Sequence, residues 1–143
     1  MTFIKSTKHD SLFFIHDTSD IKAQGVIKGE MYKEDNLNFI DIVLNHDSQA
    51  KIHNITRDIQ SNFHQQNSYI SEYDTFRVHI PIRYGKITIP IETKNNERLL
   101  IKDLSDSVVV NIKVKPTSVW IDTQHKLNIL FNATHIVANV EYV

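Results

Sequence analysis

No cysteine occurs in this 143-residue chain. That absence removes disulfide frameworks, thiolate metal sites and thiol nucleophiles together, and it fits a reducing, cytoplasmic setting. Glycine and proline are scarce, at three residues each. A glycine-rich phosphate loop therefore has almost nowhere to form, and the two nearest glycines, Gly25 and Gly29, are separated by Val-Ile-Lys and match no phosphate-binding fingerprint. Long hydrophobic runs are missing too. The apolar cluster at Leu12 to Ile15 is broken by charge on both sides and is too short for a signal segment or a membrane span, so no membrane partner is expected.

Catalytic and metal signatures are equally thin. Eight histidines are present, His9, His16, His46, His53, His64, His79, His125 and His135, but none is paired at i, i+4 and no HExxH occurs. They read as scattered surface residues, with His46 preceding the cap of a helix. No GxSxG marks a nucleophile elbow. The nearest paired carboxylates, Glu34-Asp35 and Asp103 with Asp106, read as solvated turn residues. The expectation is a chain that is not an enzyme and needs no cofactor or metal.

What the chain does have is an ordinary globular composition, 41% hydrophobic and 23% charged, at a length that suits one domain over 1–143. No repeat or low-complexity segment interrupts it. Its net charge of −1 conceals an asymmetry: residues 1 to 76 hold 7 Lys/Arg against 11 Asp/Glu, and residues 77 to 126 hold 9 against 5. One basic face on an acidic domain would produce that distribution, as would chance.

Periodicity predicts mostly strands. Phe76 to Arg83 alternates apolar with basic or polar residues, Tyr84-Gly85-Lys86 turns the chain, and Ile87 to Ile91 alternates again, which predicts a hairpin. Pro81 and Pro90 cannot donate to a ladder and are expected at an open edge or at bulges. Leu99 to Leu104 fits a short strand or a helical turn. Val108 to Lys115 alternates with Pro116 as its end, Val119 and Ile121 bracket Trp120, Leu127, Ile129 and Phe131 continue the inner face, and Ile136 to Val143 is a last closing run. Upstream, Ser11 to His16, Lys22 to Tyr32 and Leu37 to Leu44 are candidate strands. Between the two groups, Ile52, Ile55, Ile59 and Phe63 form a helical stripe within residues 48 to 64, with Asp47 or Ser48 as cap. Strands, one helix and more strands suit a mainly β fold, an OB-like small barrel, with a β-sandwich as the alternative.

The same alternation predicts a binding face. With Phe76, Val78, Ile80 and Ile82 inward, Arg77, His79 and Arg83 point outward, joined by Tyr84 and Lys86 at the hairpin tip, by Lys113 and Lys115 on the later strand, and by Trp120. Cations interleaved with aromatic faces suit an unstacked nucleic-acid strand, because phosphates need positive charge and bases need a flat π surface. The competing expectation for Trp120 is a place in the core.

The stretch Val114-Lys115-Pro116-Thr117-Ser118-Val119-Trp120-Ile121-Asp122, followed by a polar turn and Leu127-Asn128-Ile129-Leu130-Phe131, resembles the C-terminal hairpin of OB-fold single-stranded DNA-binding proteins of bacteriophages and other viruses. The likeness covers this hairpin alone. Leu127-Asn128 stands where those proteins have a glycine region, no lysine follows Phe131, and their acidic C-terminal tail, which recruits replication partners, has no counterpart in Asn139-Val140-Glu141-Tyr142-Val143. The resemblance implies a non-catalytic protein that coats single-stranded DNA, or RNA as the alternative partner, during phage, viral or plasmid replication. An Ile/Asn/Lys-rich, Ala/Gly-poor composition fits such an AT-rich genome and hence a host cytoplasm. A homo-oligomer is the accompanying expectation. The rival is a virion or assembly protein that uses β-edges for subunit contacts.

Overall fold

Alternation of buried and more exposed side chains is most regular at Thr75–His79 and along β-strand residues 109–118, where every second residue from Phe76 and from Val110 is buried. The computed structural model describes residues 1–63 and 75–140. His64 and residues 141–143, the end of the expected closing run, lie outside them. In chain order the elements are β1 (Thr2–Lys5), β2 (Leu12–His16), β3 (Ile21–Glu34), β4 (Leu37–Leu44), α1 (His46–Asn62), β5 (Thr75–His79), β6 (Ile82–Arg83), β7 (Lys86–Ile87), β8 (Ile91–Glu92), β9 (Val109–Ile121) and β10 (Leu127–Ala138).

Five of these strands close on themselves. β3 pairs antiparallel with β4 and β4 with β5, β5 lies parallel to β10, and β9 pairs with both β10 and β3. The result is a closed five-stranded, OB-like barrel with one helix, which replaces the sandwich alternative because a sandwich leaves its two sheets unjoined. Its interior is filled by Ile27, Ile40, Ile42, Val78, Ile112, Val114 and Ile129, with Phe76 and Phe131 edge-to-face at 5.0 Å. Outside the barrel, the β1–β2 hairpin extends the sheet along the far half of β9, through Leu12 opposite Trp120 and Phe13 opposite Val119.

The helix caps differently from the sequence expectation. Asn45 is the N-cap, its side chain accepting from the Ser48 amide at 2.9 Å, so His46 is the first helical residue and Ser48 is free to accept from Gln24 N. Ile52 and Ile59 are fully buried, and Phe63 meets Phe3 and Phe13 edge-on at 5.1 and 4.9 Å, which fastens the helix end to β1 and β2. Replacing a buried isoleucine of this kind with alanine costs about 2–5 kcal/mol. Among the described residues no helix is long and apolar enough to cross a membrane.

Three expectations need correction. Pro116 does not end its strand: β9 continues to Ile121, and a register shift opposite Pro116, between Leu130 and Phe131, takes up the missing donor. The expected hairpin over 76–91 is shorter, since Pro81 ends the first strand and only Ile82–Arg83 and Lys86–Ile87 pair. The run from Ile136 is not a separate strand but the end of β10, which passes without a break through polar Asn132, Thr134 and His135. Between Leu99 and Leu104 the helical-turn alternative holds, as a 3-10 turn at Ile101–Asp103.

Candidate nucleic-acid interface

One row of register partners crosses all five barrel strands. It runs from Lys115 on β9 to Asn132 on β10, then His79 on β5, Phe39 on β4 and Tyr32 on β3. Each step is a cross-strand pair, so five side chains line up across the sheet. His79 Nδ1 lies 2.9 Å from Asn132 Oδ1. An amide oxygen only accepts, so His79 donates from Nδ1 and the ring orientation is fixed. Tyr32, Phe39 and His79 follow at centroid distances of 5.9 and 5.7 Å.

Arg77 lies diagonally across this row. Its guanidinium carbon stands 3.5 Å from the Phe39 centroid, and Nη1 is 3.2 Å from Glu34 Oε2. Phe39 is buried yet outside the central apolar cluster, because the lid over it is Arg77 and not the barrel interior. On the other side, Tyr32 donates its hydroxyl to Asp41 Oδ1 at 2.8 Å. Burial first, and then that hydrogen bond, push the Tyr32 phenol well above its ordinary range, so it stays a donor.

The β6–β7 hairpin stands beside the row. Tyr84 and Gly85 both have left-handed φ, 52° and 75°, as a two-residue type I′ turn requires. The turn pairs Arg83 with Lys86 and projects Tyr84, which is 96% exposed. A groove of about 370 Å³ separates this hairpin from the β3–β4 turn, lined among others by Asn36, Asn38, His79, Ile82 and Arg83. Arg83 and His79 therefore share one groove.

Lys113 and Lys115 point to the outer face of β9 and are half-buried along their stems. Lys115 belongs to the row through Asn132, whereas Lys113 lies opposite Lys22 and His135. Trp120 is half-buried and outside the core, opposite Leu12 and Asn128. Next to it, the β9–β10 loop is wrapped around Asp122, whose Oδ1 accepts from the Gln124 and Lys126 amides at 2.9 Å each and whose Oδ2 accepts from Asn128 Nδ2 at 3.2 Å. The bond from the Lys126 amide is the largest cause holding the Asp122 carboxyl below its usual range.

The eight sequence-predicted residues thus fall into three groups. Arg77, His79, Arg83 and Lys115 meet at the row and its groove, Tyr84 and Lys86 stand at the hairpin tip, and Lys113 and Trp120 lie elsewhere along β9. Sequence reading missed Tyr32, Phe39 and Asn132. Asn132 is one place where alternation along β10 carries the signal, had that strand been read as continuous. Three of the four candidate carboxylates have structural partners: Glu34 pairs with Arg77, Asp103 accepts from Leu100 N and Asp106 from Gly29 N.

No family model matches the chain, and neither does any curated protein sequence. Among solved structures the chain is similar to gp2.5, a single-stranded DNA-binding protein encoded by bacteriophage T7. The match has a TM-score of 0.51, covers 88% of this chain and 94% of that one, and is 8% identical in sequence, so what the two share is the fold.

Proposed function

We propose that the protein binds single-stranded DNA and coats it during replication of a phage, viral or plasmid genome in a host cytoplasm, acting as one domain without catalysing a reaction. The observation that carries this reading is the row from Lys115 to Tyr32. It crosses the second and third barrel strands, the face on which OB-type barrels take oligonucleotides, and the β3–β4 loop borders it as a binding loop of such barrels does. The fold shared with a phage single-stranded DNA-binding protein supports the same reading.

In this reading Arg77, Arg83, Lys86, Lys113 and Lys115 hold phosphates, and His79 donates to a phosphate or base edge beside Arg83. Bases stack on Tyr84 and Trp120, each stack contributing about 1–3 kcal/mol. The test is the double variant Arg83→Glu/Lys115→Glu, both positions outside the core. Its affinity for oligo(dT) at low salt is expected to fall at least tenfold with the melting temperature unchanged. An unchanged affinity contradicts the reading, and an oligo(rU) arm decides between DNA and RNA.

The assembly-protein reading has one observation in its favour. Ile4 and Phe14 are register partners at the β1 edge and are 50% and 44% exposed, an apolar pair on an edge strand. Sedimentation of wild type against Ile4→Lys decides whether that edge joins subunits.

A further inference from the structure

A second basic feature lies off the row. Lys22 on β3 and Lys113 on β9 are direct register partners, so two like charges face each other in the sheet. Lys51 joins them from α1, its Nζ donating to the Lys22 carbonyl at 3.2 Å. Among the described residues none of the three has an ion-pair partner. Glu92, which could otherwise approach through His135, is engaged: its Oε1 lies 2.9 Å from His135 Nε2. The three lysines line a cavity of about 360 Å³ together with Gln24, Asn111 and Asp47. Three lysines against one aspartate leave an excess of two positive charges. The Gln24 amide oxygen accepts from Asn45 Nδ2 at 3.2 Å, which leaves its NH₂ as a further donor.

A sheet that places unpaired lysines opposite each other, at a cavity rich in donors, is organised for a compact polyanion. Several acceptor oxygens carrying at least two charges would relieve the repulsion and satisfy the donors at once. We propose that this cavity is a phosphate-binding site, separate from the single-strand face except for Lys113, that takes a group such as pyrophosphate. A free di- or triphosphate and the 5′-phosphate of a nucleic-acid end share that chemistry. The site does not rest on single-strand binding and holds or fails without it.

The experiment is calorimetric titration of inorganic pyrophosphate into the full chain at low salt, repeated with 5′-phosphorylated and unphosphorylated oligo(dT). Saturable one-site pyrophosphate binding is expected, weakened at least tenfold in Lys22→Gln/Lys51→Gln and several-fold in Lys51→Gln alone. Affinity for unphosphorylated oligo(dT) is expected to stay as in wild type, and thermal melting checks that both variants fold. A gain from the 5′-phosphate that disappears in the double variant identifies a strand end as the source. Equal binding of the two oligonucleotides, alongside pyrophosphate binding, identifies a free polyphosphate. No pyrophosphate binding at millimolar concentration, or undiminished binding by the folded double variant, overturns the proposal.

Discussion

Arg77 lies over Phe39, with its guanidinium carbon 3.5 Å from the ring centroid and its Nη1 3.2 Å from Glu34 Oε2. The cation is thereby held in place on the face proposed for DNA, but a carboxylate already occupies one edge of its fork. A strand that reaches Arg77 must compete with Glu34.

That competition makes two substitutions informative. Arg77→Lys keeps the charge and loses the planar stack, so urea denaturation is expected to show a loss of about 1 kcal/mol. Glu34 is more than half exposed, so Glu34→Gln should cost less than about 1 kcal/mol. Its affinity for oligo(dT) should rise several-fold, since the competing carboxylate is gone. Weaker binding by Glu34→Gln would mean that the pair positions Arg77 and does not block it.

Trp120 is the single tryptophan, so its emission reports one place. Half-buried beside the Asp122 loop and outside the core, it should be quenched by poly(dT) and lose that response at high salt. Emission indifferent to DNA would remove it from the stacking set.

The β9–β10 loop should respond to acid in one direction. The folded-state pKa of Asp122 is depressed, so what its hydrogen bonds contribute to stability is fully present above its ordinary value of 3.8 and is lost as pH falls through the folded value. The protection of the Gln124 and Lys126 amides, their exchange rate relative to that of an unstructured chain at the same pH, should therefore hold at neutral pH and fall only below about pH 4. Asp122→Asn should exchange faster at pH 7 and lose that acid dependence.

Gly25 tests the barrel itself. A Cβ there would press into Val43 O and Ile42 Cγ2, contacts that neither the backbone nor a packed side chain can relieve without movement. Gly25→Ala should destabilise by about 1–3 kcal/mol in denaturant titration. A neutral result would mean that the β3–β4 pairing is looser than its register implies.

Much of this architecture is legible where one rule acts alone. The stripe Ile52, Ile55, Ile59 and Phe63 gave the helix, and strict alternation gave β5 and the first half of β9. Legibility failed where tertiary structure overrides local pattern. Thr2–Lys5 is too short to show a period, and Pro116 hides inside a strand because the register shift beside it, which leaves Thr117 as an extra residue of β9, shows only once β9 is paired with β10. Phe39 and Ile40 are both buried because Arg77, 38 positions along the chain, roofs one face. No local pattern encodes that, nor the meeting of Lys22, Lys51 and Lys113, which only register and helix placement bring about.

The account rests on single-strand binding, and the most direct test is the affinity of the full chain for a fluorescent oligo(dT) measured against salt. With Arg77, Arg83, Lys86, Lys113 and Lys115 on phosphates, each contact contributes about 0.7 to the fall of log affinity with log salt, a slope of about −3.5. Tight binding at low salt with that slope, and much weaker binding to a duplex of the same length, is the predicted result. No binding at low salt, or equal affinity for duplex, would contradict it.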